Sequence, residues 1–190
     1  MAKMLLSNPL KMSRKLLGWM FNRDQVAEAL YARVVAHSRS PVFFRNGGVA
    51  DTVDGRFDIL ALHVYLLLRR LQAGQENDLS QQIFDLFFAN LDTGLREMGV
   101  GDLTVGKRIR GMAEAFYGRA KAYDLALKSR SPQDMRDALQ RNLFRGLDVS
   151  GTIVNRMADY VLEQDAYLNH QPLDAITSGE IAFKSYSAVA

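Results

Sequence analysis

The feature that most restricts the fold of this chain is an apolar repeat of three to four residues, which recurs along residues 22–169. No hairpin dipeptide joins two segments of alternating polarity, so a β-sheet is not expected. Between Gly55 and Gln72 apolar side chains cover most of the helical circumference, which is typical of a helix buried on all sides. The sequence therefore predicts an all-α, irregular multi-helix bundle of six or seven helices, with this segment at its centre.

Capping residues set the expected boundaries of the helices. The candidate N-caps are Asn22, Asp54, Asp78, Thr104, Ser131 and Ser150. Pro132 follows Ser131 at the first helical position, where a missing N–H group costs nothing. Pro172 is expected to end the last long helix. We expect an N-terminal arm over residues 1–22, a helical domain over residues 23–170 and a C-terminal tail over residues 171–190.

The charge of the chain is concentrated at its start. Of the 190 residues, the first 23 hold five cationic side chains and no acidic one, although the formal net charge of the whole chain is only +3. The rest is therefore close to neutral, and DNA is not an expected partner. The absence of cysteine excludes a disulfide scaffold and thiolate zinc sites. No apolar run approaches the roughly 20 residues of a transmembrane helix, and a secretory signal fits poorly.

A short stretch imitates a phosphate-binding loop. In GVGDLTVGKRIRG, residues 99–111, the glycine and lysine spacing from Gly101 to Lys107 matches that of a P-loop. However, Arg108 stands where such a loop needs a hydroxyl group for magnesium, and Asp102 places a negative charge where phosphate would lie. The preceding residues also have a helical pattern instead of the required strand. We interpret the stretch as a helix end, a glycine turn and a new helix.

Two groups of residues raise the question of a metal site. They are the aspartates Asp51, Asp54 and Asp58 and the histidines His37, His63 and His170. The aspartate spacing does not fit a calcium loop, so helix capping is the simpler explanation. The histidines have no partner four residues away, and His63 is expected to be a hydrogen-bonded core residue. The sequence predicts no catalytic residue, metal or cofactor.

The predicted helix over 104–128 is the most unusual segment. Small residues form a stripe beside its apolar stripe: Gly111, Ala115, Gly118 and Ala122. Either another helix of the bundle crosses closely here, or the stripe receives a partner. The same helix carries the cations Lys107, Arg108, Arg110, Arg119 and Lys121. They indicate either a solvated face or a docking surface for an acidic partner or RNA.

The N-terminal arm combines cationic and large apolar side chains. Lys11, Arg14 and Lys15 are followed by the apolar residues Leu16, Leu17, Trp19, Met20 and Phe21. Such a basic amphipathic helix can lie on an anionic membrane surface. An equally simple alternative is that Trp19 packs on the body of the protein.

Several segments in order resemble one known family. They are DTVDGRFDILALHVYLLLRRL, MGVGDLTVGKRIRGMAEAFYGRAKAYD and RNLF, within about residues 49–144. Together they are similar to the ubiquinol–cytochrome c chaperone family, assembly factors for the cytochrome bc1 complex. The resemblance implies an all-helical, non-enzymatic chaperone of bacterial type that binds newly made cytochrome b. It further implies a second assembly factor or the ribosome as partners, and a location in the cytoplasm or on the cytoplasmic face of the inner membrane.

The resemblance and the residue patterns together suggest two sites. The expected client-binding residues are Lys107, Arg108, Arg110, Gly111, Tyr117, Gly118, Tyr123 and Asp124. The expected membrane contacts are Lys11, Arg14, Lys15 and Trp19. Alternatively, Tyr117, Tyr123 and Asp124 join neighbouring helices by hydrogen bonds.

Two other classes of function remain open at this point. A ribosome- or RNA-binding helical module would use the same basic residues, and its affinity would fall steeply with salt. An all-α enzyme acting on a lipid or isoprenoid would need paired carboxylates or a histidine cluster, which the sequence does not show.

Overall fold

The computed structural model describes the backbone of residues 9–186 and the side chains from Arg23 to Tyr186. Within this range the chain is helical and contains no strand. Its helices are α1 Pro9–Ser38, α2 Pro41–Arg45, α3 Val53–Ala73, α4 Asn77–Glu97, α5 Asp102–Ser129, α6 Pro132–Asn142, α7 Gly151–His170 and α8 Leu173–Thr177. Six of them are long, and α2 and α8 have five residues each, so the predicted all-α bundle is confirmed.

Helix α3 is the centre of the bundle. It packs against α1, α4, α5 and α7. Every residue from 61 to 68 is buried, which is more than two full turns without a solvent-exposed side. The all-round apolar pattern therefore predicted the central helix correctly.

The start of α3 is held by a cap and by a close backbone contact. Thr52, and not Asp54, caps the helix, because its hydroxyl accepts a hydrogen bond from the Gly55 N–H at 3.1 Å. Asp54 lies in the first turn, where its charge complements the helix dipole. A Cβ atom at Gly55 would lie 2.0 Å from the Ala50 carbonyl oxygen, so only glycine fits.

Other predicted caps were only partly right. Ser131 caps α6 as expected, with its hydroxyl accepting from the Asp134 N–H at 3.3 Å. Asn22 is wrong as a cap, because α1 continues through it from Pro9 to Ser38 with no proline after its first position. Ser150 precedes α7 but forms no capping hydrogen bond. The remaining two candidates, Asp78 and Thr104, are wrong as caps, because they lie inside the first turns of α4 and α5, which follow Glu76 and Gly101.

A tight turn joins α4 to α5. Gly99 has a positive φ of 80°, and the Val100 N–H donates to the Leu95 carbonyl at 3.1 Å, which closes the end of α4 in a Schellman pattern. Gly101 precedes α5 in an extended conformation. Helices lie on both sides, so the interpretation of this stretch as a helix end, a turn and a new helix is confirmed.

The residues that follow α8 are integrated into the body. Ile181 and Tyr186 are buried. The Gln171 side chain donates to the Ala182 carbonyl and accepts from its N–H, at 2.8 and 2.9 Å. The Lys184 N–H donates to the Gln164 side chain at 2.8 Å. This extended segment therefore closes one side of the bundle.

Candidate functional site

Helix α5 spans 28 residues and separates the core from an exposed outer face. Its inner side places Val105, Phe116 and Leu127 in the core. The opposite side is exposed along most of its length of roughly 40 Å. We call this side the α5 outer face, formed by Leu103, Lys107, Arg108, Arg110, Gly111, Tyr117, Gly118, Lys121 and Leu125.

The glycines of the α5 outer face are open. A Cβ atom built at Gly111 or Gly118 would have no other heavy atom within 4 Å. At these two positions the expectation that another helix of the bundle crosses is therefore wrong for the described part of the chain. Each glycine inside a helix is about 1 kcal/mol less favourable than alanine. Among the described residues, no close packing at Gly111 or Gly118 compensates for this loss of helix stability.

Most cations of α5 are exposed and unpaired. Lys107, Arg108, Arg110 and Lys121 are exposed, and none of them forms an ion pair with another described side chain. Leu103 and Leu125 lie among them and are 99% and 60% exposed. Sequence analysis missed these two leucines, although their positions on the basic side of the helix could have shown them. The α5 outer face thus combines positive charge, open glycines and apolar side chains.

Arg119 does not belong to the basic surface, contrary to the sequence-based grouping. It is buried, and its guanidinium group lies 2.8 Å from the Asp58 carboxylate of α3. Arg145 approaches the same carboxylate at 3.2 Å from the segment after α6. Burial raises the pKa of Asp58, and the two arginines limit that rise. This buried cluster attaches α5 to α3 and thereby fixes the direction of the outer face.

The three polar residues near the middle of α5 have different surroundings. Tyr117 is 60% exposed, and its ring lies 5.7 Å from that of Phe84. Tyr123 is fully buried, and its hydroxyl forms no hydrogen bond with the described residues. It is therefore a core residue and not part of the surface. Asp124 joins neighbouring helices, because it pairs with Arg69 of α3 at 2.5 Å. Of the eight expected client-binding residues, six share the α5 outer face.

Two histidines that are far apart in the sequence meet in the core. The Nε2 atoms of His37 and His63 lie 2.7 and 2.8 Å from the Tyr160 hydroxyl. The Nδ1 atom of His63 lies 2.8 Å from the Ile59 carbonyl, so it must carry the proton and donate. Nε2 of His63 then accepts from Tyr160, whose oxygen accepts from His37. His63 is therefore the hydrogen-bonded core histidine that was predicted.

This histidine pair is uncharged at neutral pH. No group of three or more metal-binding side chains occurs among the residues whose side chains are described. Burial lowers the pKa of His37 to about 4 and that of His63 to about 3, and the neighbouring His37 contributes to the second shift. Both rings are consequently neutral at pH 7.

The histidine pair predicts a loss of stability in mild acid. Both folded-state pKa values lie below the ordinary value of 6.5, so the unfolded chain binds protons first as the pH falls. The contribution is complete above pH 6.5 and is lost towards pH 4. We expect the free energy of unfolding from urea titrations to fall by several kcal/mol across this window, because each of the two histidines contributes as much as about 1.4 kcal/mol per pH unit. The variant His37→Gln should show a smaller fall, and an identical fall would contradict this assignment.

No helix in the described part of the chain is long and apolar enough to cross a lipid bilayer. The four expected membrane contacts, Lys11, Arg14, Lys15 and Trp19, belong to α1, but their side chains lie outside the described residues.

Comparison with known proteins places the chain in a family. The model of the ubiquinol–cytochrome c chaperone family matches residues 45–183. A relative from Xenopus laevis, ubiquinol-cytochrome-c reductase complex assembly factor 1, is 25% identical over 145 residues, which are 75% of this chain and 72% of the relative. The crystal structure of the Cbp3 homolog from Brucella abortus has a TM-score of 0.82 and 31% identity, and covers 92% of this chain and 97% of its own. The protein belongs to the ubiquinol–cytochrome c chaperone family.

Proposed function

We propose that this protein is a non-enzymatic chaperone for assembly of the cytochrome bc1 complex and that its α5 outer face binds newly made cytochrome b. Family membership supports the first part. The observation that carries the second is the pair of open glycines, Gly111 and Gly118, on a helix with unpaired cations. A surface without side chains at these positions lets the backbone of a partner helix approach closely.

The chemistry of the α5 outer face suits a client that has both apolar and polar segments. Leu103, Tyr117 and Leu125 offer apolar and amphipathic contacts, which dominate the centres of protein interfaces. The unpaired cations, among them Lys107 and Arg110, supply electrostatic attraction for acidic or polar loops and raise the rate of encounter. A newly made membrane subunit such as cytochrome b presents both kinds of segment.

The function is tested by capture of the tagged protein from its own cells in mild detergent, with crosslinking of newly made chains and mass spectrometry. We expect cytochrome b to be enriched together with other assembly proteins of the complex, including a second assembly factor. Enrichment of ribosomal proteins alone, with binding that falls steeply as salt increases, would favour the ribosome- or RNA-binding module instead. Absence of cytochrome b among the crosslinked chains would contradict the proposal.

The N-terminal arm is proposed to hold the protein at the cytoplasmic face of the inner membrane. Its candidate contacts, Lys11, Arg14, Lys15 and Trp19, lie in the first part of α1. Basic side chains near an anionic surface contribute about 1 kcal/mol each, and an aromatic ring suits the interfacial layer.

Removal of the arm is therefore expected to weaken membrane association. For a chain without residues 1–22, the amount of protein that floats with vesicles containing anionic phospholipid should fall at least tenfold. The variant with Lys11, Arg14 and Lys15 replaced by glutamine should show most of the same loss, because it lacks the three charges, but not all of it, because it keeps Trp19. Flotation that is unaffected by either change would exclude the arm as the anchor.

A further inference from the structure

An apolar cavity lies at the end of the bundle where α1 and α4 finish. It has a volume of about 320 Å³ and is open to the surface. Its walls come from five helices and include Val35, Phe44, Phe57, Leu60, Leu91 and Met112. Protein interiors normally leave few voids larger than a water molecule. A space of this size falls within the range of small-molecule sites.

The walls of this cavity provide few hydrogen-bonding groups for water. Ser38 is already satisfied, because its hydroxyl donates to the Val34 carbonyl at 2.8 Å. Asn90 donates to the Leu86 carbonyl at the same distance. A space lined mainly by apolar side chains is a poor site for ordered water and a good one for an apolar ligand.

A helical glycine lies on the wall of the cavity. Gly94 lines it from within α4, and a Cβ atom there would meet no other heavy atom within 4 Å. Alanine at this position would stabilise the helix by about 1 kcal/mol and would begin to fill the space. Gly74 is different, since its Cβ would lie 2.7 Å from Leu173. Glycine at position 94 therefore lowers the stability of α4 relative to alanine, and it leaves space in the cavity that a ligand can occupy.

A positive charge lies at the mouth. Arg39 lines the cavity, is exposed, and has no carboxylate partner among the described side chains. Arg56 also lines it, but its guanidinium group pairs with Asp51 at 2.7 Å and lies 5.1 Å from the centre of the Phe44 ring. Arg39 is therefore the lining cation that is free to receive an anion.

We propose that this cavity binds the acyl chain of a monoanionic amphiphile of the fatty-acid class, taken up as a monomer from solution, with its carboxylate paired to Arg39. The apolar walls accept the chain, and the guanidinium group at the mouth fixes its direction. A neutral or cationic amphiphile would gain the same apolar contacts but would lack the charge-assisted hydrogen bonds. The proposal is independent of the function proposed for the α5 outer face.

The test is calorimetric titration of the full chain with laurate, far below the concentration at which laurate forms micelles. We expect one molecule to bind per chain. Gly94→Leu should weaken binding at least tenfold and should leave the melting temperature unchanged or higher, because the new side chain enters empty space. Gly118→Leu is the matched control, since this exposed helical glycine lies outside the cavity, and it should leave laurate binding unchanged.

The role of Arg39 is tested with a second amphiphile that has an alkyl chain of the same length and a cationic head group. Arg39→Gln should weaken laurate binding about tenfold, the equivalent of one charge-assisted contact. Dodecyltrimethylammonium should bind the unmodified protein at least tenfold more weakly than laurate, and Arg39→Gln should narrow that gap. Each of three results would overturn the proposal: laurate does not bind, Gly94→Leu binds laurate with unchanged affinity, or the two amphiphiles bind with equal affinity. Capture of cytochrome b by Gly94→Leu should be normal, so the two proposals fail separately.

Discussion

Replacement of Gly111 and Gly118 together by leucine is expected to reduce recovery of cytochrome b at least tenfold in the capture experiment. The new side chains would project from the α5 outer face and keep a partner helix from the close approach that two glycines allow. The fold should not suffer, because no other heavy atom lies within 4 Å of either new Cβ atom. Leucine is the better helix former, so the free energy of unfolding should rise by about 1–2 kcal/mol.

This combination of lower binding and higher stability separates the prediction from simple misfolding. The matched control is Gly94→Leu, another helical glycine with open space, which lies in α4 on the wall of the cavity. The control should gain about half as much stability, because it replaces one glycine instead of two, and it should recover cytochrome b normally. Normal recovery by the double variant as well would exclude the α5 outer face as the client site.

Replacement of Asp58 by asparagine is expected to lower the free energy of unfolding by about 3 kcal/mol. The change leaves the guanidinium group of Arg119 buried, with its side chain only 7% exposed, and without a compensating charge. Arg145 loses the same partner, but its side chain is 50% exposed and water can replace the carboxylate. Urea titration at pH 7, followed by circular dichroism, measures the loss.

The natural control lies seven residues earlier. Asp51 pairs with Arg56 at 2.7 Å, and both side chains are more than half exposed. Asp51→Asn should therefore change the stability by no more than about 1 kcal/mol. Replacement of both buried partners, in the variant Asp58→Leu with Arg119→Met, should recover most of the loss, because no uncompensated charge stays in the core. If Asp58→Asn and Asp51→Asn lowered the free energy of unfolding equally, burial of the ion pair would not be the cause of the larger loss.

The helices were predicted well because apolar periodicity and capping depend on residues that are close together in the sequence. The all-round apolar segment became α3, and the serine–proline pair at Ser131 and Pro132 opened α6. Asn22 failed as a cap because a capping residue only permits a helix to begin there. The residues before it continue the helix without proline, so nothing ends it.

The candidate site was predicted less completely, since its surroundings depend on distant residues. Asp58 and Arg119 are 61 positions apart, and no spacing rule pairs them. Likewise, His37, His63 and Tyr160 meet only when α1, α3 and α7 pack together. Tyr123 is a different case: it lies on the apolar stripe of α5, seven residues after Phe116, and this position already indicated burial.

The extended segment after α8 has a consequence for the order in which the fold is completed during synthesis. Phe183 stacks on His37 of α1 with ring centres 4.7 Å apart, and Tyr186 packs against Phe43 of α2. Residues of α1, α2 and the segment after α8 thus share one part of the core. Because residues 179–186 leave the ribosome after α1 to α8, α1 and α2 keep an apolar surface uncovered until this segment has emerged. A nascent chain of this fold cannot close its core while residues 179–186 are still in the exit tunnel.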